Sequence, residues 1–188
     1  MPGSSEEAKS ALRARLKGAF VCASAQVSQG IIARLTSLPE LTAARTILAY
    51  LPLPDEPDLT PLLDRLLTTH RVALPRIDWP TRRMWGVQVR DLVADVETTR
   101  HGVRQPRPGP PLDPAEIDAV LVPGLAFDGS LARLGRGGGF YDRFLATLPP
   151  CTTGIGIAFE SRILPSLPRE AHDVAMDIVV TESRVLRG

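Results

Sequence analysis

The sequence predicts an α/β fold: a single domain spanning residues 1–188, built as three αβα layers around a mainly parallel, Rossmann-like sheet. Three observations predict it. Short apolar runs stopped by proline, as at 46–51, 72–74 and 117–122, read as buried strands. Between them, apolar residues recur at three- or four-residue spacing, which is the helical period. Strands that alternate with helices favour parallel pairing with helices on both faces.

Taken in order, Leu12, Leu16, Phe20, Ala23, Val27, Ile31 and Leu35 define one face of a long first helix, with Gly30 as a point of interruption. Ser4 or Ser5 suits its N-cap, and Pro39 closes the region. Thr46 to Leu51 is a strand stopped by Pro52. After a Pro- and acid-rich loop, Leu59, Leu62, Leu63, Leu66 and Leu67 mark a second helix, with Asp58 as N-cap and Pro61 in the first turn. Val72 to Leu74 is a strand ended by Pro75, and Met84 to Val89 another. Residues 101–114 hold five prolines and read as loop. Ile117 to Val122 is a strand, residues 139–148 a helix, and 153–159 and 178–181 the last strands.

Composition excludes several classes. The chain has 188 residues, enough for one substantial core. A net charge of +1 gives no whole-chain field for nucleic acid or an anionic membrane. Cys22 and Cys151 form no metal spacing and read as reduced thiols in a cytoplasmic protein. No N-terminal signal pattern and no membrane-length apolar run is visible.

The chemistry concentrates after the 117–122 strand. Gly135, Gly137, Gly138 and Gly139 lead into a helix start, flanked by Arg133 and Arg136. Consecutive backbone N–H groups, a helix N-terminus and bidentate guanidinium groups make an anion cradle. The glycines alone also fit a plain turn, and the segment is neither the GxxxxGK[ST] loop nor GxGxxG. Lys9 and Arg13, four apart, project side by side; alone they fit a solvated helix edge.

The longer stretch PGLAFDGSLARLGRGGGFYDRFL, Pro123 to Leu145, resembles the signature of the 5-formyltetrahydrofolate cyclo-ligases, approximately PGxxFDxxGxRLGxGxGYYDxxL. Lys9, Leu12 and Arg13 resemble the family's KxxLR, and Leu51 through Glu56 its strand-then-acid segment. Pro75-Arg76 and His172 to Glu182 (HDVAMDIVVTE) also match in order. Departures are Phe140, where a Tyr is common, and Gly138, where some members carry Lys.

The resemblance implies conversion of 5-formyltetrahydrofolate and MgATP to 5,10-methenyltetrahydrofolate, ADP and phosphate through a phosphorylated imidate. It implies that Lys9, Arg13, Arg133, Leu134, Gly135, Arg136, Gly137, Gly138, Gly139, Phe140 and Tyr141 bind ATP. Leu51, Glu56, Arg136 and Phe140 would contact the folate, Arg136 and Tyr141 would act in catalysis, and Asp142 with Asp177 would hold Mg²⁺. The implied partners are these small molecules, with no nucleic acid and no membrane, and a monomer suffices. Read alone, Glu56 also fits a loop acid, Asp142 a first-turn acid and Asp177 a turn cap. Trp79 and Trp85 fit either core or pocket wall. A silent folate- or nucleotide-binding module would lack Arg136 or Asp142, and both are present. A sugar-phosphate isomerase or CoA-transferase relative would need a strand-end carboxylate, for which Glu56 is the obvious candidate.

Overall fold

The computed structural model describes residues 5–18, 24–99 and 102–188. It opens with helices α1 (Ser5–Gly18), α2 (Ala25–Thr36) and the short α3 (Pro39–Thr42). Strand β1 (Thr46–Leu48), helix α4 (Thr60–Leu66) and strands β2 (Arg71–Asp78) and β3 (Arg83–Val89) follow. Next come β4 (Val96–Thr98), β5 (Arg104–Pro106), β6 (Ala119–Pro123), β7 (Ala126–Asp128) and β8 (Arg133–Leu134). The chain ends with α5 (Phe140–Leu145), β9 (Thr153–Ile157), β10 (Ile163–Leu164), β11 (Ile178–Val180) and β12 (Val185–Arg187).

The α/β expectation holds. Seven strands form one sheet in the order β12-β11-β9-β6-β1-β2-β3. The five central strands pair in parallel, and an antiparallel strand closes each edge. One face packs Ile31 and Leu35 of α2 and Leu62, Leu63 and Leu66 of α4 against Ile47, Leu121 and Ile155. The other packs Phe144 and Leu145 of α5, with Phe127, against Leu48, Val120 and Val179. A three-stranded sheet, β10-β7-β8, lies on this second side, and Leu16 of α1 packs on its Ala126 and Leu134.

Four local expectations change. The single first helix is two helices, because Ser24 takes an extended conformation and its hydroxyl accepts the Val27 N–H at 3.3 Å, starting a new helix. Gly30 stays inside α2. Ser4, Phe20, Cys22, Ala23 and His101 lie outside the described residues. Second, β2 runs through Pro75. Its pairing with β1 ends at Ala73, so Pro75 lies where that edge of β2 is unpaired and needs no N–H. Third, the Pro-rich stretch is not all loop: β5 pairs with β4, and Pro111 bridges Val87. Asp58 acts one residue early, accepting the Thr60 N–H at 2.9 Å while Leu59 stands at the N-cap.

The signature's Asp128 is structural. Its carboxylate, 4 % exposed, accepts the N–H groups of Ser130, Ala132 and Leu167 and the Ser130 hydroxyl, at 2.7–3.1 Å. Burial opposes the charge, but these hydrogen bonds outweigh it and hold the carboxyl below its ordinary value. The group folds the β7–β8 turn and ties it to the segment after β10. Asp128→Ala is therefore expected to lower stability by about 2–4 kcal/mol, because buried N–H groups lose their acceptor. A depressed carboxyl contributes stability above its unfolded pKa and loses it as pH falls through the folded value. Denaturant melts should show the wild-type advantage near neutrality and its narrowing in acid. A pH-independent gap would contradict this account.

Candidate functional site

The parallel strands β1 and β6 are neighbours, but their crossovers leave in opposite directions. From β1 the chain passes through α4 to β2, and from β6 through α5 to β9. A parallel sheet opens a crevice at such a switch point, beyond the carboxyl ends of its strands. A cleft of about 400 Å³ lies there.

Its apolar wall comes from Tyr50 and Leu51 after β1, Pro75 and Ile77 of β2, Trp79, and Phe140 and Tyr141 of α5. Trp79 meets the Phe140 ring edge-on, with centroids 5.2 Å apart. The ambiguity over Trp79 resolves to pocket wall, at 38 % exposure. Its polar wall comes from Lys9 and Arg13 of α1, Arg133 to Gly139, Asp142, and Glu170 to Asp173. The β7–β8 hairpin separates the Gly-rich loop from β6, so the loop arrives from the side rather than straight off the strand. Gly137 has φ +100°, a conformation that a side chain would strain, and it lies under the Arg13 guanidinium. Arg13 also fastens α1 to the loop, because its Nε donates to the Gly135 carbonyl at 3.1 Å.

The cleft's cations largely stand beside carboxylates. Lys9 is buried, and its Nζ lies 2.7 Å from Glu170 and 2.6 Å from Asp173. Arg133, also buried, donates to Asp142 at 2.8 Å and lies over the Tyr141 ring. Arg136 donates from Nε and Nη2 to Glu56 Oε1, at 3.1 and 2.9 Å, and from Nη2 to Asp55 at 2.6 Å. Among the described residues none accepts from Arg136 Nη1, which leaves that edge for an anion. Burial pushes the Glu56 carboxyl up, and the Arg136 charge only partly offsets it. Burial, helped by the Glu56 charge, raises the Tyr141 phenol far enough to keep it a protonated donor.

One expected residue is not brought in. Asp177 stands at the amino end of β11, where its carboxylate accepts the Gly154 N–H at 2.7 Å. That is the end of the sheet remote from the cleft, so it does not meet Asp142. Asp173, four residues earlier, lines the cleft instead, with Glu170. Sequence reading missed Asp173, Glu170, Asp55 and Tyr50. The HDVAMD segment contained the signal for the first but offered two equivalent acids. His172 is largely exposed, 3.8 Å from Glu170, and adds no buried ligand. Glu170, His172 and Asp173 bring possible ligand atoms within 4.8 Å of one another, while Asp142 on the same wall pairs with Arg133; carboxylate oxygens such as these suit Mg²⁺ shared with phosphate oxygens. No helix among the described residues is long and apolar enough to cross a membrane.

A model of the 5-formyltetrahydrofolate cyclo-ligase family matches residues 5–182. The 5-formyltetrahydrofolate cyclo-ligase of Mycolicibacterium smegmatis is 41 % identical over 152 residues, 76 % of this chain and 76 % of the relative. That of Mus musculus is 27 % identical over 196 residues, covering 93 % and 94 %. The solved 5,10-methenyltetrahydrofolate synthetase of Aquifex aeolicus superposes with a TM-score of 0.81 at 30 % identity, covering 97 % of this chain and 92 % of that one.

The Lys9 cluster generates a test. Burial would lower the Lys9 amine, but its bonds to Asp173 and Glu170 prevail and raise it. Burial would raise Asp173, but Lys9 and the Glu170 N–H prevail and lower it. Lys9→Ala should cost about 3 kcal/mol near neutral pH by leaving two acids without their cation. The raised amine contributes below its unfolded pKa and loses that as pH rises through the folded value. The lowered acid contributes above its unfolded pKa and loses that as pH falls through the folded value. Thermal melts should therefore show the deficit between those limits and its shrinkage in strong acid; an equal deficit in acid would argue for packing alone.

Proposed function

We propose that this chain, which belongs to the 5-formyltetrahydrofolate cyclo-ligase family, closes the ring of 5-formyltetrahydrofolate to give 5,10-methenyltetrahydrofolate and uses MgATP to do so. The single observation that carries this reading is the cleft itself: one crevice joins an apolar, aromatic wall to a Gly-rich, arginine-bearing wall. The first fits a flat heterocycle and the second a polyphosphate.

The formyl oxygen attacks the γ-phosphorus, ADP departs, and the oxygen keeps the phosphoryl group. N10 then attacks the activated formyl carbon. Phosphate leaves, the proton lost from N10 leaves with it, and the methenyl cation remains. Little acid–base help is needed; the demands are alignment and charge neutralisation. Leu51 and Phe140 pack the folate, and Glu56 accepts its N–H groups. Arg136, linked to Glu56, offers Nη1 to the transferring phosphoryl group. Tyr141 donates to the formyl or phosphoryl oxygen. Arg13, Arg133 and the backbone of Leu134 to Gly139, with Lys9 behind them, hold the remaining phosphate oxygens. Asp142 and Asp173 would hold Mg²⁺, whose part is to neutralise phosphate charge. The cleft draws residues from Glu6 to Asp173, which supports reading 1–188 as one domain. Every side chain invoked comes from one chain, so a monomer suffices, and two reduced thiols fit the cytoplasm.

A single assay tests the reading: protein, 5-formyltetrahydrofolate, ATP and Mg²⁺, followed by the near-UV absorption of the methenyl product. Product should require ATP and Mg²⁺ together, and turnover without either would sink the proposal. Arg136→Ala should lower kcat by about 100-fold or more while circular dichroism stays native. Asp142→Asn and Asp173→Asn should each raise the Mg²⁺ concentration for half-maximal rate. Asp177→Asn should not, and the opposite ranking would return Asp177 to the metal.

A further inference from the structure

Tyr50 carries a buried hydroxyl without a partner. The residue is 3 % exposed, and its Oη makes no hydrogen bond to any described residue. Buried hydroxyls are nearly always paired, because an unmade hydrogen bond is costly. Tyr50 stands two residues beyond the end of β1, at the switch point, in the wall of the cleft. Tyr50 shares that wall with Leu51, Glu56, Arg136 and Tyr141, and its ring also packs into the core beneath.

We propose that the Tyr50 hydroxyl is a specificity-determining donor to the 4-oxo oxygen of the bound pterin, beside Glu56 as acceptor. The proposal rests on the folate reading of this cleft and deepens it. The pyrimidine edge of a pterin presents an amino group and a ring N–H next to a carbonyl oxygen. Glu56 Oε1 already accepts two Arg136 N–H groups and Oε2 the Leu53 N–H, so the remaining Oε2 lone pair can accept one pterin N–H while an adjacent phenol meets the carbonyl oxygen. The two residues lie on one short loop, Tyr50 to Glu56, so a single backbone path sets the spacing of donor and acceptor. The loop is fixed, since Glu56 Oε2 accepts the Leu53 N–H at 3.0 Å. Burial, with the Glu56 charge, raises the phenol well above its usual value, so it donates throughout the working pH range.

The test is Tyr50→Phe, which removes one oxygen and keeps the ring. Without ATP, the Kd for 5-formyltetrahydrofolate should rise about tenfold, while the Kd for ATP stays unchanged. The ligand-free melting temperature should hold or rise, because no protein partner is lost. A folate lacking the 4-oxo oxygen should bind wild type more weakly than 5-formyltetrahydrofolate, and the variant should discriminate between the two far less. Unchanged folate affinity, an equal loss for ATP, a retained preference for the oxo compound, or a drop of several degrees in the ligand-free melt would each overturn the proposal. If wild type binds ATP but no 5-formyltetrahydrofolate, the folate reading itself fails and this inference with it. A wild type that binds both alongside a variant that also binds both normally rejects only the role of Tyr50.

Discussion

The site depends on one contact, the pair between Glu56 and Arg136. Glu56 follows β1, Arg136 sits in the Gly-rich loop after β8, and the pair ties these segments across the mouth of the sheet. The carboxylate is 6 % exposed, and the guanidinium offsets part of the cost of burying its charge. Burial still wins in part, since the Glu56 carboxyl remains above its ordinary value. The same carboxylate accepts the Leu53 N–H and so folds its own loop. Removing either partner would strand the other in a place built for two. With the Arg13 bond to Gly135, this pair helps to set the apolar wall of the cleft against the Gly-rich one.

The other cleft charges follow the same logic. Lys9 with Glu170 and Asp173, and Arg133 with Asp142, are compensated before any ligand arrives. Binding a polyphosphate is therefore an exchange of partners rather than the filling of a bare positive hole. A polyanion alone would meet as many carboxylates as cations. On the proposed reading, one that brings a divalent cation would give Asp142 and Asp173 a new counter-ion as Lys9 and Arg133 turn to phosphate oxygens, with no dedicated metal cage needed.

How much of this was legible in the sequence follows from burial and length. The central strands announce themselves because both of their faces are buried, which leaves continuous apolar runs such as 119–122. Strands β7, β8 and β10 have two or three residues each, too few for any period to show. In the Pro-rich stretch, prolines signalled loop correctly for most positions. Pro106 nevertheless takes part in the short β4–β5 ladder, where an edge position tolerates a missing N–H. Asp128 entered only as one letter of the signature, and its four donors reveal a turn-forming role that the letter does not. Asp173 and Asp177 are equivalent as letters. Strand direction separates them, because β11 points its amino end away from the cleft, and direction is a tertiary property that no local pattern encodes.

The two departures from the family pattern, Phe140 and Gly138, are a single structural feature. A Cβ at Gly138 would come within 2.7 Å of the Phe140 ring. The Cδ2–Cε2 edge of the ring faces that glycine, with Trp79 nearly perpendicular to the ring and the Arg143 guanidinium 5.5 Å from its centroid. Arg143 in turn donates to the Gly138 and Arg82 carbonyls, closing a small cage around the ring. A longer side chain at 138 would have to displace an aromatic held from several sides. A lysine there, as the related pattern sometimes has, thus requires a different placement of residue 140. The missing phenol oxygen and the missing lysine thus go together: a glycine at 138 leaves room for the Phe140 ring in the apolar wall of the cleft. On the proposed reading, the phosphate charge that such a lysine would meet falls to Arg136, whose Nη1 has no acceptor among the described residues.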